Sequence, residues 1–440
     1  MALSRRSFLA ALGATAATRA RAADLDVVIV GAGAAGLAAA HALRAARRNV
    51  LVMEARGRIG GRVFTDESLG PRFETGAFYI HWAERNPWTG IAKAQAAETV
   101  DDRTLGGSFA AFRNGERLST DARRQHREAF GRINTVLGTY DHTTDQSFAD
   151  LMKGQPPALS DVATAIALMS LGEDPQRVSA ADYEQLDSGT DLVVPTGYGK
   201  LVERYGAGLP VSLSTPVTAI DWSGQGVVLS TANGTLAARA AIVTVPVGVL
   251  AREGIRFTPA LPPETLAAID GLGMGAMTKL ALKVEGDRLG QAAFTQYFDD
   301  TSRHELINFE LWPFEQDLIV ATFGGDYARG VAKLGEAGAI DHVTERLLKL
   351  TGAELRPKIA GGRLAGWSEE PFSAGSYSLA KPGHLAAREA LARPVGDRIW
   401  FAGEAVLGPS AMTAGGAVLA GQAAAQAIAG LLAAENVERK

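Results

Sequence analysis

Residues 25–36 read Leu-Asp-Val-Val-Ile-Val-Gly-Ala-Gly-Ala-Ala-Gly, so an apolar, β-branched run is followed at once by glycines at positions 31, 33 and 36. Residues 37–43 continue at helical spacing, and residues 49–53 form a second apolar run that ends at Glu54. A buried strand, a glycine-rich turn, a helix and a second strand with an acidic end make up the complete dinucleotide-binding fingerprint. The sequence therefore predicts an α/β fold that begins with a Rossmann-like unit.

The glycine-rich turn contains four predicted cofactor-binding residues, Gly31, Gly33, Ala35 and Gly36. Gly31 permits the tight turn, Gly33 lets the backbone approach a pyrophosphate, and Gly36 lets helix and strand pack closely. The N-terminus of the helix offers N–H groups and positive potential to phosphates. Glu54 is placed to accept both hydroxyls of a ribose, and its carboxylate would repel a 2′-phosphate. The fingerprint alone does not separate NAD from FAD.

The composition excludes several classes of protein. The chain has 440 residues, of which 47% are hydrophobic and 21% charged, which excludes a mainly disordered chain and a polytopic membrane protein. There is no cysteine, which excludes disulfides, cysteine-based metal sites and a cysteinyl link to a cofactor. The seven histidines show no metal-binding spacing, so no metal site is predicted. A net charge of −4 argues against a nucleic-acid-binding protein.

The N-terminus resembles a bacterial twin-arginine export signal. Arg5 and Arg6 precede Ser7-Phe8-Leu9 and a short apolar run, and Ala20-Arg21-Ala22 resembles a cleavage site. We expect residues 1–22 to be removed by the twin-arginine export machinery and the protein to be periplasmic or secreted. Residues 1–22 hold four of the 44 basic residues and none of the 48 acidic ones, so the mature chain would carry 40 against 48, a net charge of −8.

The residues that follow the fingerprint resemble the flavin-containing amine oxidase superfamily. Residues 54–56, Glu-Ala-Arg, and residues 59–63, Ile-Gly-Gly-Arg-Val, match the family turn that continues the grip on the FAD pyrophosphate. The resemblance implies that Ala55 and Gly61 line this turn and that Arg56 and Arg62 make paired phosphate contacts. Further matches follow in order at residues 73–81, 191–199, 216–220, 241–250, 272–282, 366–378 and 401–418. Among the subgroups, the chain is most similar to polyamine oxidases and lysine-specific histone demethylases.

The resemblance implies a two-domain architecture built from interleaved segments. A Rossmann-like FAD-binding domain would take residues 23–85, 190–275 and 386–435. An α+β substrate-binding domain would take residues 86–189 and 276–385. The apolar stretch at residues 414–434 contains two glutamines and lacks aromatic flanks, so we predict a helix packed on a sheet or cofactor rather than a stable membrane anchor.

The resemblance also assigns the remaining cofactor contacts. Gly76 and Ala77 lie beside the flavin ring, the backbone of Val217 meets adenine, Trp367 packs against the flavin, Gly403 and Glu404 face the ribityl or pyrophosphate region, and the Ala417 N–H stabilises the pyrimidine edge. Thr413 replaces a tyrosine of monoamine oxidases, which widens the substrate slot. Ser376 replaces the cysteine to which monoamine oxidases attach FAD, so non-covalent FAD is expected.

Three side chains are implied to act in catalysis. Lys279 matches the family lysine that holds a water against flavin N5. Because burial of an ammonium group within an apolar strand is unfavourable, a water-bridged flavin partner would explain why a lysine stands there. Tyr377 matches the aromatic residue that walls the substrate channel. His81 falls where polyamine oxidases place a His or Glu near the amine, and it would bind the substrate nitrogen or keep it neutral.

The expected reaction is the oxidation of a secondary amine or polyamine. In the family, a hydride passes to flavin N5, the imine hydrolyses, and O2 or, here, a periplasmic electron acceptor reoxidises the flavin. Two alternatives remain open at this stage: a catalytically idle flavin-binding scaffold, and an oxidase or dehydrogenase of cyclic amines or amino acids that uses another acceptor. The sequence offers no arginine at the family's place for an amino-acid carboxylate. It also leaves open whether the chain forms a homodimer.

Overall fold

The computed structural model describes residues 25–140, 144–302 and 304–438. The predicted export signal, residues 1–22, lies outside the described residues. The described strands are, in chain order, β1 (Val27–Val30), β2 (Val50–Met53), β3 (Thr65–Asp66), β4 (Phe73–Glu74), β5 (Tyr79–Ile80), β6 (Val100–Asp101), β7 (Phe109–Arg113), β8 (Glu116–Arg117), β9 (Leu192–Val193), β10 (Val211–Ser212), β11 (Val217–Asp221), β12 (Val227–Thr231), β13 (Gly234–Ala238), β14 (Ala240–Val243), β15 (Arg256–Thr258), β16 (Leu272–Met274), β17 (Thr278–Val284), β18 (Thr295–Asp300), β19 (Leu306–Leu311), β20 (Leu318–Phe323), β21 (Ile359–Ala365), β22 (Ser378–Ala380) and β23 (Ile399–Phe401).

The described α-helices vary from one turn to seven turns in length. They are α1 (Ala34–Ala45), α2 (Pro87–Ala94), α3 (Thr120–Gly138), α4 (Phe148–Leu151), α5 (Pro157–Ser170), α6 (Ala180–Glu184), α7 (Tyr198–Gly206), α8 (Val247–Ala251), α9 (Pro263–Gly271), α10 (Gly325–Lys333), α11 (Gly335–Thr351), α12 (Ala387–Ala392) and α13 (Ala414–Glu438). Short 3₁₀ turns occupy Asp102–Thr104, Pro313–Glu315 and Ala353–Lys358.

A parallel five-stranded sheet forms the first layer. Its order is β10-β2-β1-β14-β23, and every neighbouring pair is parallel. All four residues of β1 are buried, as a central parallel strand requires. The glycine-rich turn leads directly from β1 into α1, so the predicted Rossmann-like unit is confirmed.

The long helix α13 packs against α1. A Cβ added at Gly421 would lie 2.1 Å from the carbonyl oxygen of Ala35, so the two backbones touch at a glycine. By length and composition alone, Ala414–Glu435 could cross a membrane, and 44% of its most apolar stretch is buried inside the protein. The predicted packed helix is therefore present, and it packs mainly on α1 and also contacts β14 of the parallel sheet.

The second layer is a seven-stranded sheet with the order β21-β17-β20-β19-β18-β7-β8. Strands β7 and β8 come from the segment before the helices α3 to α6, and β7 pairs in parallel with β18. One face of this sheet packs on α10 and α11 through fully buried residues such as Ile307, Phe309 and Leu311. Its other face and the carboxyl ends of β1, β2 and β14 enclose a large cavity.

Candidate active site

The cavity has a volume of about 910 Å³ and gathers the residues that the sequence singled out from distant segments. Those that line it are Gly31, Gly33, Ala35, Glu54, Ala55, Arg56, Gly61, Arg62, Gly76, Ala77, His81, Val217, Lys279, Trp367, Tyr377, Gly403, Glu404, Thr413 and Ala417. Gly36 does not line it, since this glycine lies under the turn. A Cβ at Gly36 would come within 1.9 Å of the Gly31 carbonyl oxygen, which is the close packing predicted for it.

The glycine-rich turn forms an open cradle. A Cβ added at Gly33 would meet no atom within 4 Å, so the space beside this backbone is open cavity. Gly31 has φ +106°, which a side chain would strain. The buried Glu54 carboxylate accepts the Ala32 N–H at one oxygen and the Arg56 N–H at the other, both at 2.8 Å. These features fit a pyrophosphate at Gly33 and a ribose at Glu54.

The two predicted phosphate arginines are paired with carboxylates of the protein. Arg56 contacts the Glu370 carboxylate and donates to Ser373 Oγ at 2.8 Å. Arg62 donates to Glu404 Oε1 at 3.0 Å and to the Ser376 carbonyl at 2.8 Å. Both arginines still line the cavity, but the structure gives each a structural partner that the sequence analysis did not foresee.

Glu404 is the centre of a buried polar network. Its oxygens accept the Ser378 N–H at 3.1 Å and the Ser378 hydroxyl at 2.6 Å, in addition to Arg62. Burial alone would raise the pKa of Glu404, but the Arg62 charge and the Ser378 hydrogen bonds together hold that pKa below its usual range. The carboxylate therefore stays charged and fixes Arg62 at the edge of the cavity.

The start of α13 differs from the sequence prediction. The Ala417 N–H, predicted to face the flavin, donates to the Thr413 carbonyl at 3.1 Å because Ala417 already belongs to the first hydrogen-bonded turn. Thr413 caps this turn, since its hydroxyl accepts the Gly416 N–H at 2.9 Å. Trp367 donates from its indole to the Thr75 carbonyl at 2.8 Å and forms a wall of the cavity.

Lys279 lies where the two layers meet. Its Nζ donates to the carbonyl oxygens of Gly76 at 2.8 Å and Glu74 at 3.3 Å. Burial lowers the pKa of Lys279, although the Glu74 and Glu310 carboxyl groups act in the opposite direction. A lysine amine has three donors, so one remains for a water or ligand in the cavity.

Tyr377 and His81 stand at other walls of the cavity. The Tyr377 hydroxyl donates to the Ser170 carbonyl at 2.9 Å, and burial raises its pKa, so it is a neutral phenol. His81 Nδ1 lies 3.0 Å from Asp191 Oδ1, and its side chain is 45% exposed. The hydrogen bond to Asp191 orients the imidazole at the cavity surface.

Comparison with known proteins gives the family. The profile of the family described as "Flavin containing amine oxidoreductase" matches residues 34–429. The chain belongs to the flavin-containing amine oxidoreductases. It is 30% identical to Polyamine oxidase 4 of Oryza sativa subsp. japonica over 91% of this chain and 88% of that protein. The resemblance predicted from the sequence is thereby confirmed, and the protein is a flavin-dependent enzyme.

Two further relatives extend the comparison. Lysine-specific histone demethylase 2 of Homo sapiens is 27% identical over 92% of this chain, and the chain spans about half, 53%, of that protein. The solved structure of a putrescine oxidase bound to putrescine superposes with a TM-score of 0.77 at 21% identity, covering 92% of this chain and 99% of that one. This likeness confirms the predicted amine oxidase fold.

The cavity of this amine oxidoreductase contains a carboxyl group that the sequence analysis missed. Glu310 lies on β19 and faces the cavity from the seven-stranded sheet. Burial raises its pKa to about 7, although the charge of Lys279 acts to lower it. Asn308 lies on the same face, and its Oδ1 is buried without a hydrogen-bond partner among the described residues. Alternation of apolar and polar residues along β19 is visible in the sequence, but it does not distinguish a face in water from one in a cavity.

A cluster of three acidic residues lies outside this cavity. Glu173, Asp174 and Asp326 bring carboxylate oxygens within 4.8 Å of one another. Arg177 and Arg329 both pair with these groups, and His304 Nδ1 lies 3.0 Å from Asp174 Oδ1, so each carboxyl group has a basic partner among the described residues. Arg329 also donates to the Met274 carbonyl at 3.1 Å, which ties α10 to β16. We interpret this cluster as a structural ion-pair network rather than a metal site.

Proposed function

We propose that the enzyme is an FAD-dependent amine oxidase that oxidises a secondary amine or polyamine to an imine, which water then hydrolyses, and that O2 takes the electrons and becomes H2O2. When bound, the flavin supplies the redox chemistry by accepting a hydride from the carbon next to the amine nitrogen. The membership of the family and the similarity to a polyamine oxidase support this reaction class. The residues that would hold the cofactor, a water and the substrate are proposed below.

FAD fits the cradle better than a cofactor with a 2′-phosphate. The open space beside Gly33 suits a pyrophosphate, and the buried carboxylate of Glu54 suits ribose hydroxyls. Ser376 lines the cavity, where its hydroxyl donates to the Gly275 carbonyl at 2.9 Å. Because the chain has no cysteine, no cysteinyl bond to the flavin can form. These features support our proposal that FAD is bound non-covalently.

Lys279 would position the water that this family keeps beside the flavin. Two of its donors are used by the Gly76 and Glu74 carbonyls, which fixes the direction of the third. Its lowered pKa makes the neutral amine more accessible than for a lysine in water. Lys279 can therefore hold a water and exchange a proton with it at this end of the cavity.

The carboxyl group of Glu310 carries the assignment of the substrate class. It lies in the same cavity as Lys279, and a further cation beside it would lower its pKa from about 7 and favour the carboxylate. An amine with a second, cationic nitrogen would supply that cation, and Asn308 Oδ1 offers a further acceptor. We therefore assign a diamine or polyamine, whose second nitrogen pairs with Glu310 while the first is oxidised.

The first test is anaerobic mixing of the purified flavoprotein with an amine panel. The panel contains spermidine, spermine, N-acetylated polyamines, phenylethylamine, nicotine-like cyclic amines and L-amino acids, and the visible flavin band reports reduction. We expect the polyamines to bleach this band fastest. Admission of air should then restore the colour and release H2O2. If the colour returns only after another electron acceptor is added, that acceptor, and not O2, reoxidises the flavin.

A variant at Glu310 tests the substrate class within the same assay. Glu310→Gln keeps the shape of the side chain but removes the charge, so polyamines should lose at least about tenfold in reduction efficiency. Phenylethylamine has no second cation and serves as the internal control, because its rate should stay the same. Equal losses for both amines would contradict the pairing with Glu310. If no amine bleaches the flavin, the proposed function itself is wrong and the idle scaffold remains.

A further inference from the structure

The hairpin turn between β19 and β20 has a backbone that its residues rarely adopt. Trp312 has φ +56°, Phe314 has φ +52° and Glu315 has φ +56°, and none of them is glycine. Bulky side chains in this left-handed region cost free energy, and such residues persist only where surrounding contacts hold them. Backbone strain of this kind concentrates at functional sites.

Several contacts hold the turn in place. The Gln316 side chain accepts the Arg72 N–H at 2.7 Å and donates to the Arg72 carbonyl at 3.4 Å. Arg288 donates to the Glu315 carbonyl, and the Trp312 N–H donates to the Leu318 carbonyl at 2.9 Å. Because Arg72 directly precedes β4, the turn is tied to the strand whose Glu74 carbonyl accepts Lys279.

The strained turn places the Phe314 ring in the wall of the cavity. The ring packs edge-on against Phe294, with centroids 5.0 Å apart, and lies 6.1 Å from the ring of Phe78. Phe78 in turn lies 5.4 Å from Lys279 Nζ. Phe314 is therefore separated from the reactive end of the cavity by a single aromatic ring, and its own backbone cannot relax without breaking the contacts of the turn.

We propose that Phe314 is a specificity-determining residue, held by the strained turn, which limits the cavity beside Phe78 to a slender, unbranched alkyl chain. The proposal rests on the proposed function, since it describes how an amine substrate fits. A flexible side chain on a relaxed loop would move aside for a wider group. The Phe314 ring packs against Phe294, and the hydrogen bonds between Gln316 and Arg72 hold its backbone. The ring therefore cannot move aside, and a bulky group on the amine would clash with it.

The test compares spermidine with its N-benzylated derivative in anaerobic flavin reduction. In Phe314→Ala, the efficiency ratio of the benzylated to the plain amine should rise at least about tenfold, because the space of a phenyl ring is released. Phe314→Leu should show a smaller rise in the same direction. Arg288→Met removes the donor to the Glu315 carbonyl without changing the lining of the cavity, so it keeps the ring but frees the turn and should also raise the ratio. Phe130→Ala removes a 53% exposed ring from α3 and is the matched control.

The outcomes separate this proposal from the proposed function. Reduction of the wild type by spermidine with an unchanged ratio in Phe314→Ala would overturn the role of Phe314 and leave the amine oxidase assignment standing. The absence of reduction by any amine would overturn the proposed function and this proposal with it. Thermal unfolding of each variant shows whether it is folded, and if Phe314→Ala is not, the result for Phe314→Leu decides.

Discussion

Lys279 Nζ lies 2.8 Å from the carbonyl oxygen of Gly76. This hydrogen bond joins β17 of the seven-stranded sheet to the segment that follows β4. Gly76 has no room for a side chain, since a Cβ there would come within 1.8 Å of the Arg62 carbonyl oxygen. Lys279 therefore donates to a backbone carbonyl whose position is fixed by the close packing of Gly76 on Arg62. Both partners line the cavity.

Lys279→Met should keep the flavin and slow its chemistry. The substitution preserves length and apolar packing but removes the remaining donor, so flavin reduction or reoxidation should fall by at least about tenfold. Stopped-flow measurement of both half-reactions separates the two. Lys283→Met, on the same strand but near Glu285 and outside the cavity, is the control. Unchanged rates in both half-reactions would remove the assigned role of Lys279.

Two neighbouring glycines should respond differently to alanine. Gly33→Ala places a methyl group in open cavity, so the protein should fold but bind FAD at least about tenfold more weakly. Gly36→Ala drives a methyl group into the Gly31 carbonyl, which should lower the free energy of unfolding by about 1–3 kcal/mol or more. Equilibrium FAD titration and chemical denaturation of the flavin-free protein measure the two effects. Gly131→Ala, at an exposed position of α3, should weaken neither FAD binding nor the stability of the fold.

Local spacing explains why much of the fold and the cofactor cradle could be predicted. Gly33 and Glu54 act through the turn and strand in which they stand, so their order along the chain contains the necessary information. The same holds for Lys279, whose neighbours in sequence match a family segment. The family resemblance then supplied the two-domain architecture of interleaved segments, which residue patterns alone do not contain.

The partners that the sequence did not reveal lie far away along the chain. Arg56 was expected at phosphates, and its partner Glu370 lies 314 residues further on. Glu310 stands on a strand whose alternation looks like an ordinary half-solvated strand. The strain at Phe314 depends on a backbone angle that no residue type in that turn indicates. Such features follow from tertiary packing, which overrides local preference.

Removal of a buried arginine should destabilise the protein strongly. Arg388 on α12 makes a bidentate pair with Asp182 on α6, with both bonds at 2.7 Å and side chains 2% and 4% exposed. Arg388→Met leaves a buried carboxylate without its cation, which should cost about 3–5 kcal/mol in chemical denaturation. Arg393→Met removes an exposed pair with Glu389 at the end of the same helix and should cost less than about 1 kcal/mol. Equal costs would show that the buried pair contributes nothing special.

Export should depend on the paired arginines near the N-terminus. We expect the Arg5→Lys, Arg6→Lys double variant to accumulate in the cytoplasm of a bacterial host, because the twin-arginine signal is read by its arginine pair. Cell fractionation with detection of the bound flavin measures the distribution. Arg19→Lys makes the same charge-conserving exchange outside the motif and should be exported like the wild type. Cytoplasmic retention of the wild type would contradict the predicted localisation.

The raised pKa of Glu310 should appear as a pH-dependent cost in stability. Between pH 4.5 and about 7, the folded protein retains a proton at Glu310 that the unfolded chain releases, so the free energy of unfolding falls as pH rises through this window. The cost is absent below pH 4.5 and complete above about pH 7. It is on the order of 2 kcal/mol, since the carboxyl group faces a cavity rather than a solid core.

Glu310→Gln should remove this cost because it cannot ionise. In amine-free holoprotein, the variant should exceed the wild type by about 2 kcal/mol at pH 8, and the difference should vanish towards pH 4.5. Denaturation of both proteins at a series of pH values measures this difference, which includes the change that the substitution makes at the coupled Lys279. A bound polyamine should reverse the order at pH 8, because its cation stabilises the wild-type carboxylate. A difference that is the same at every pH would show that Glu310 keeps an ordinary pKa.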